Sequence, residues 1–345
     1  MRETTYRGKT AGVYSLRNAN GMEVTMTNFG CRIMGIVVPD ADGEPTDVVQ
    51  GFDNVDDYFP ERHLSDFGAV IGRYANRLAD GRVVVDGKVW QLPQNNGPNC
   101  LHGGPDGWQY AVFDVLSRSD TTIRFHLVSP DGDNGFPGKV EVWVAYTLQD
   151  DNALRVDYRA ESDRPSVINM TNHSYWNLSG DLGSSATDHI LQIDADRYTP
   201  VGDTLIPLGY HDPVAGTPMD FRKPKAIGFD IEAPFQQLRN GSGYDHNWVL
   251  NGRRQTPTLA AVLACPQSGI SLQVYTNAPG LQVYTGNFLD GVVGKGGTSY
   301  CRRSAVCLET QQYPDSPNHN WPESTGRIAP DNPFSSTTIF KLKAQ

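Results

Sequence analysis

The sequence predicts an all-β chain, a large antiparallel β-sandwich with few short helices. Three observations carry that expectation. Apolar and polar residues alternate with period two along most of the chain, no long 3.6-residue apolar stripe competes with that alternation, and 35 Gly with 23 Pro among 345 residues make turns frequent without a fixed repeat.

Taken in order, residues 22–28 and 32–38 are the first strand candidates. Val83, Val84 and Val85 then face Val89 and Trp90 across Asp86-Gly87, a dipeptide that tolerates the positive φ angles of a tight hairpin turn. Residues 122–128 follow. In 140–148 one face carries Val140, Val142, Val144, Tyr146 and Leu148. Leu154, Val156, Tyr158 and Ala160 continue the pattern after the polar turn Asp150-Asp151-Asn152, so the two runs form a hairpin. Residues 189–194, 258–264, 270–275, 281–284, 306–309 and 337–342 complete the set. With short strands and short turns, a chain of this length holds on the order of fifteen to twenty strands. A sheet that large has to fold back on a second one, and a concave face would line a cleft. Residues 199–235 are poor in strands, but Leu205, Ile206, Met219 and Phe221 anchor them, so they read as a packed excursion rather than a linker. Residues 1–345 are therefore expected to form a single domain.

With 29 Lys and Arg against 39 Asp and Glu, the net charge of −10 repels phosphate backbones and anionic lipid, and no basic patch offsets it. Nucleic acid and membrane are excluded as expected partners. The first residues have no apolar signal segment, and no window approaches a membrane span. Cys31, Cys100, Cys265, Cys301 and Cys307 are odd in number and scattered without a Cys-x-x-Cys pair, which suggests reduced thiols in the cytoplasm.

Six polar strings combine imidazole, carboxylate, guanidinium and amide groups near strand ends: 72–77 (GRYANR), 101–104 (LHGG), 171–177 (TNHSYWN), 243–247 (GYDHN), 281–288 (LQVYTGNF) and 309–311 (ETQ). Each alone is compatible with a turn or a satisfied core network. Together, in order and spacing, they resemble the aldose 1-epimerases, the galactose mutarotase family, over nearly the whole chain. The resemblance implies the galactose mutarotase-like supersandwich. Its cleft would interconvert the α and β anomers of a free hexose such as galactose or glucose, with no metal and no organic cofactor, in a monomer or homodimer. It further implies Glu309 as general base, His173 as general acid and His102 as a second imidazole near the ring oxygen, with Asn76, Arg77, Asp245 and Gln282 as ligands of the sugar hydroxyls.

The chemistry asks for the same residue types independently. Mutarotation removes a proton from the anomeric hydroxyl while adding one to the ring oxygen, and ring closure on the other face reverses both transfers. A carboxylate is a competent base at neutral pH, and an imidazole with an ordinary pKa near 6.5, held charged by an opposite charge nearby, is a competent acid. Tyr175, Trp176 and Tyr284 are assigned to the core rather than to a sugar platform. Arg73 and Arg77 would project to one side of an extended segment and Asn76 to the other, with Arg73 either in the site or in a structural ion pair. His246 would face away from Asp245 and serve the structure.

Other readings fare worse. Residues 291–298 (GVVGKGGT) lack phosphate-loop spacing and read as a flexible loop, and the Asn-x-Ser/Thr matches have no secretion signal behind them. A zinc site of His102, His173 and Glu309 lacks a short-range ligand pair. Asp245 with Glu309 would suit a glycoside hydrolase, while a sugar-phosphate epimerase would want a basic cluster such as Arg302-Arg303. A mere binding module would have no use for an acid-base couple. The sequence departs from the family pattern at 328–333 and at Ser304.

Overall fold

The computed structural model describes residues 3–252 and 255–344. Among them are thirty strands, seventeen of four residues or longer, and a single α-helix, Gln236–Gly241. The longer strands fall within the expected number. The excess consists of two- and three-residue pairings that fasten loops.

Nine strands form the largest sheet, in the order Asp114–Arg118, Thr122–Ser129, Val140–Leu148, Ala153–Ser162, Phe334–Ala344, Ile270–Thr276, Thr258–Ala264, Ile190–Ile193 and Lys225–Ala226. A six-stranded sheet packs against it, in the order Tyr175–Trp176, Val306–Gln311, Gly280–Tyr284, Asp245–Val249, Arg197–Thr199 and Asp212–Pro213. A five-stranded N-terminal sheet runs from Glu3–Tyr6 to Pro45–Asp47. Every pairing between strands in these sheets is antiparallel. One apolar core joins the three: Met26 and Ile36, Val142 and Phe340, and Leu281, Val283, Val306 and Leu308 belong to it.

The sequence pattern explains the two hairpins. Val140–Leu148 buries every second side chain and pairs residue for residue with Ala153–Ser162. Asp86 and Gly87 both adopt positive φ, 51° and 71°, the geometry that a two-residue turn imposes between twisted strands. The excursion 199–235 is indeed packed, with Met219 and Phe221 buried. It adds edge strands to both large sheets. The N-terminal hairpin, Glu3–Tyr6 with Lys9–Arg17, has no counterpart among the strand candidates read from the sequence, and one expectation is corrected. Residues 291–298 are not a loose loop: Val292–Val293 pairs with Ser299–Tyr300, and Lys295 Nζ is bound to Asp47 Oδ2 at 2.7 Å and to the Val49 carbonyl at 2.8 Å. Ser304 is buried, and its hydroxyl accepts from Gln50 Nε2 at 2.8 Å. The turn at 328–333 closes through reciprocal backbone bonds between Ala329 and Asn332.

The five cysteines are unpaired, four of them buried and Cys301 exposed. No helix among the described residues is long and apolar enough to cross a membrane.

Candidate active site

Strand parity assembles the floor of the cleft. In Val306–Gln311, Val306 and Leu308 point into the core, so Cys307, Glu309 and Gln311 point the other way. Register then fixes the neighbours: Gln282 pairs with Glu309 on one side and Asn247 on the other, while Tyr284 pairs with Cys307 and Asp245. Across the remaining edge Tyr175 pairs with Cys307, and continuing that register by two residues brings His173 opposite Glu309. The result is a transverse row, His173, Glu309, Gln282 and Asn247, beside a second row, Tyr175, Cys307, Tyr284 and Asp245. His246 falls on the opposite face from Asp245, as the sequence reading expects, and Trp248 on the core face with it.

A second wall comes from 76–102. Cys100–Leu101 pairs with Arg77–Leu78, and the next pair is completed by His102 N–H donating to the Asn76 carbonyl at 3.1 Å. The Asn76 N–H in turn donates to His102 Nδ1 at 3.1 Å. Nδ1 is therefore an acceptor, and the neutral ring carries its proton on Nε2.

These walls enclose a cavity of about 650 Å³. Asn76, Arg77, His102, His173, Asp245 and Glu309 all line it. Gln282 lies one layer back, where its Nε2 donates to Asp245 Oδ1 at 2.6 Å. Arg77 Nη2 stands 3.6 Å from Asp245 Oδ2, and Arg77 Nε donates to Asn96 Oδ1 at 3.0 Å. His173 Nε2 is 3.5 Å from Glu309 Oε1. The His173 ring lies flat against Tyr175, 5.0 Å between centroids, and edge-on to His102 at 5.3 Å.

Burial governs the charges. It pushes Glu309 well above the usual carboxylate range, helped by Asp245 and Asp66 and opposed by Arg77. It pushes His173 down to about 3, with His102 adding to the effect and Asp66 opposing it. His102 also falls to about 3, through burial and then through Arg77. The expectation that a neighbouring negative charge holds His173 as an imidazolium is thus not met, because desolvation outweighs the attraction. Burial disfavours the charged form of each member, and both the two-proton and the proton-free states of the couple would bury a net charge.

Several local expectations change. Asn76 has φ of 67°, so the segment is not extended, and Asn76 enters the same cleft as Arg77 instead of facing away. Arg73 is structural, but not through an ion pair: it is buried and donates to the carbonyls of Pro130, Pro137 and Gly138 and to Ser129 Oγ. Trp176 is core, with its ring against Phe340. Tyr175 and Tyr284, assigned to the core, line the cavity, and Phe288, 61% exposed, stands with them. Asp66, Asn96 and the Asp203–Leu205 corner of the excursion also line it without having been singled out. None carries a motif of its own. Their arrival depends on loops whose course local pattern does not encode.

Among the described residues, Asp66, His102 and His173 bring one ligand atom each to within 4.8 Å of one another, and Glu309 is not in that group. A cation does not fit well there. Ligation through His102 Nε2 would force the ring proton onto Nδ1, against the Asn76 N–H that now donates to it. Asp245 is committed to Arg77 and Gln282, which leaves it poorly placed as the second carboxylate of a hydrolase. Arg302 and Arg303 do not line the cavity; both donate to the Ser242 carbonyl from outside.

Comparison with known proteins shows the family. The family model described as Aldose 1-epimerase matches residues 12–341. The chain is 43% identical over 325 residues to human galactose mutarotase, covering 93% of this chain and 91% of that one. It is 38% identical over 339 residues to the aldose 1-epimerase of Escherichia coli strain K12, covering 98% and 97%. Among solved structures, an aldose epimerase homologue from C. elegans superposes with a TM-score of 0.86 at 29% identity, covering 97% of this chain and 99% of that one. Galactose 1-epimerase from Lactobacillus acidophilus NCFM gives 0.83 at 30% identity, covering 99% and 96%.

Proposed function

The chain belongs to the aldose 1-epimerase family and is an isomerase acting on carbohydrate, and from that premise we propose that Glu309 and His173 interconvert the anomers of a free hexose, galactose or glucose, as a base and acid couple. The observation that carries the reading is the buried carboxylate and buried imidazole 3.5 Å apart on the floor of a cavity walled by amide and guanidinium groups.

In the forward direction Glu309 accepts the proton of the anomeric hydroxyl, and His173 gives one to the ring oxygen. The C1–O5 bond breaks, C1 becomes an aldehyde, and rotation about C1–C2 presents its other face. Closure returns each proton to its source, so the couple ends with the single proton it began with. Burial favours that proton on Glu309. Hydrogen bonds from the sugar's hydroxyl rim to the carboxylate favour its ionised form and transfer the proton to His173. His102, fixed as the Nε2–H tautomer, supplies a neutral donor to the ring oxygen, which becomes the C5 hydroxyl on opening. Arg77 and Asp245 present paired donors and acceptors to neighbouring hydroxyls, with Asn76 beside them and Gln282 holding Asp245 in place. Tyr175 and Tyr284 offer apolar faces to the sugar C–H surface.

A monomer or homodimer is part of the proposal. Five unpaired cysteines suit a reducing compartment, and cytoplasmic location is part of the proposal. Polarimetry on freshly dissolved α-galactose tests the activity. Purified protein should accelerate the decay of optical rotation in proportion to its concentration, and a decay identical to buffer would remove the proposal.

A further inference from the structure

Asp66 enters the cleft wall from the segment preceding Val70–Ile71, and it has no partner there. It is half-buried, and its enclosed Oδ1 accepts no hydrogen bond. An enclosed carboxylate oxygen left unbonded costs free energy, so what it faces matters. It faces the imidazoles, with carboxylate and ring nitrogens of His102 and His173 all within 4.8 Å of one another. Arg32, the cation behind it, does not neutralise it by direct contact. The Arg32 guanidinium donates instead to the carbonyls of Phe67, Ser65 and Gln109. The chain thus brackets Asp66 with backbone bonds to Arg32 while leaving the carboxylate aimed at the reacting couple.

We propose that Asp66 is a positioning residue for the reaction: its unpaired carboxylate, grouped with the ring nitrogens of His102 and His173 but not with Glu309, stabilises the imidazolium that His173 becomes more than it opposes ionised Glu309, and so draws the couple's proton onto the ring. This rests on the Glu309 and His173 reading above. The remaining groups around His173 cannot supply that bias. Tyr175 stacks on it, His102 meets it edge-on and Tyr284 stands 6.4 Å away, none of them anionic. Arg32 opposes a positive ring, and Arg77 favours ionised Glu309 without contacting His173. Among the anions, Glu309 is the exchange partner itself and Asp245 is bound to Arg77. A negative charge that is neither partner nor paired is what remains, and it raises both members of the couple.

That last point gives a signature. A charge several ångströms from both groups moves both pKa values in the same direction. In Asp66→Asn both limbs of the pH profile of kcat/KM for galactose should move to lower pH by about one unit. Turnover at pH 7 should fall about tenfold, and Asp66→Glu should keep the wild-type limbs. A merely structural role would lower the profile without moving its limbs, and unmoved limbs would overturn the proposal. If Asp66→Asn does not fold, Asp66→Ser removes the same charge in a smaller side chain and carries the same test. Loss of wild-type activity with EDTA, absent in Asp66→Asn, would make Asp66 a metal ligand and also overturn it. Glu309→Gln run alongside separates the two levels. If that variant keeps turnover, the couple itself is wrong; if it loses turnover while the Asp66→Asn limbs stay fixed, only the role of Asp66 is.

Discussion

Glu309→Gln isolates proton acceptance from everything else Glu309 does. The side chain is 2% exposed, on the cleft face of Val306–Gln311 between Cys307 and Gln311, and a glutamine matches it in shape. The amide accepts hydrogen bonds but does not take up a proton at neutral pH, so His173, 3.5 Å away, loses the partner that completes the exchange. A positioned acid or base contributes about 10²–10⁴ in rate, and that is the expected fall in kcat, equivalent to about 3–5 kcal/mol on the barrier. KM should change little, because Asn76, Arg77 and Asp245 remain. Stability should hold or rise, since the wild-type carboxyl is already pushed towards its neutral form and the amide carries no charge to desolvate. The assay is the initial polarimetric rate with α-galactose, corrected for spontaneous mutarotation, alongside a urea melt. Turnover within about threefold of wild type in a folded variant would refute the assignment of the base.

Three further outcomes follow from other parts of the structure. The pH profile of kcat/KM should be a broad bell whose acid limb lies below pH 5, because burial lowers His173 to about 3 and so delays uptake of a second proton; an acid limb at 6.5 would mean an imidazole exposed to water. Arg77→Ala strands Asp245, 91% shielded at its side chain in the ion pair with Arg77, and should raise KM for galactose at least tenfold, whereas Asp245→Asn, which still accepts from Gln282, should do less; equal effects in the two variants would argue against the pairing. Gly68→Ala adds a Cβ 1.9 Å from the Ile33 carbonyl oxygen at a backbone φ of 67°, and its urea midpoint should report a loss of at least about 2 kcal/mol, against a smaller loss of about 1 kcal/mol at Gly87, where a φ of 71° strains a side chain but nothing lies within 4 Å.

The sheet was legible in the sequence because burial on a strand has period two. The face of 140–148 could be read directly, and so could the turn at Asp86-Gly87, whereas 281–284 and 306–309, nearly all buried on both sides, could be read only as strands. Pairing was not legible: nothing local says that Gln282 lies between Glu309 and Asn247. For the candidate site, ordered polar strings compensated, since they named His102, His173, Asp245 and Glu309 without any knowledge of register. Local geometry failed where a loop conformation intervened. The positive φ of Asn76 turns it into the cleft against the extended-chain expectation, and Asp66, flanked by Ser65 and Phe67, offered no string to notice.

The charge state was the least legible property, for a physical reason. An imidazole near pKa 6.5 is a property of a solvated residue, and no sequence window states how much water the fold removes. Here the fold removes nearly all of it from His173 and Glu309 together. Desolvating either alone would fix it in its neutral form and spoil it for catalysis. Desolvating both, within 3.5 Å, makes the charged and uncharged versions of the one-proton couple differ chiefly in where the proton sits. A small bias then decides the location, and sugar hydroxyls on one side with the Asp66 carboxylate on the other are of the right kind to supply it. Register across the edge of the six-stranded sheet, from the Tyr175 and Cys307 pair to the His173 and Glu309 pair, is what sets that separation.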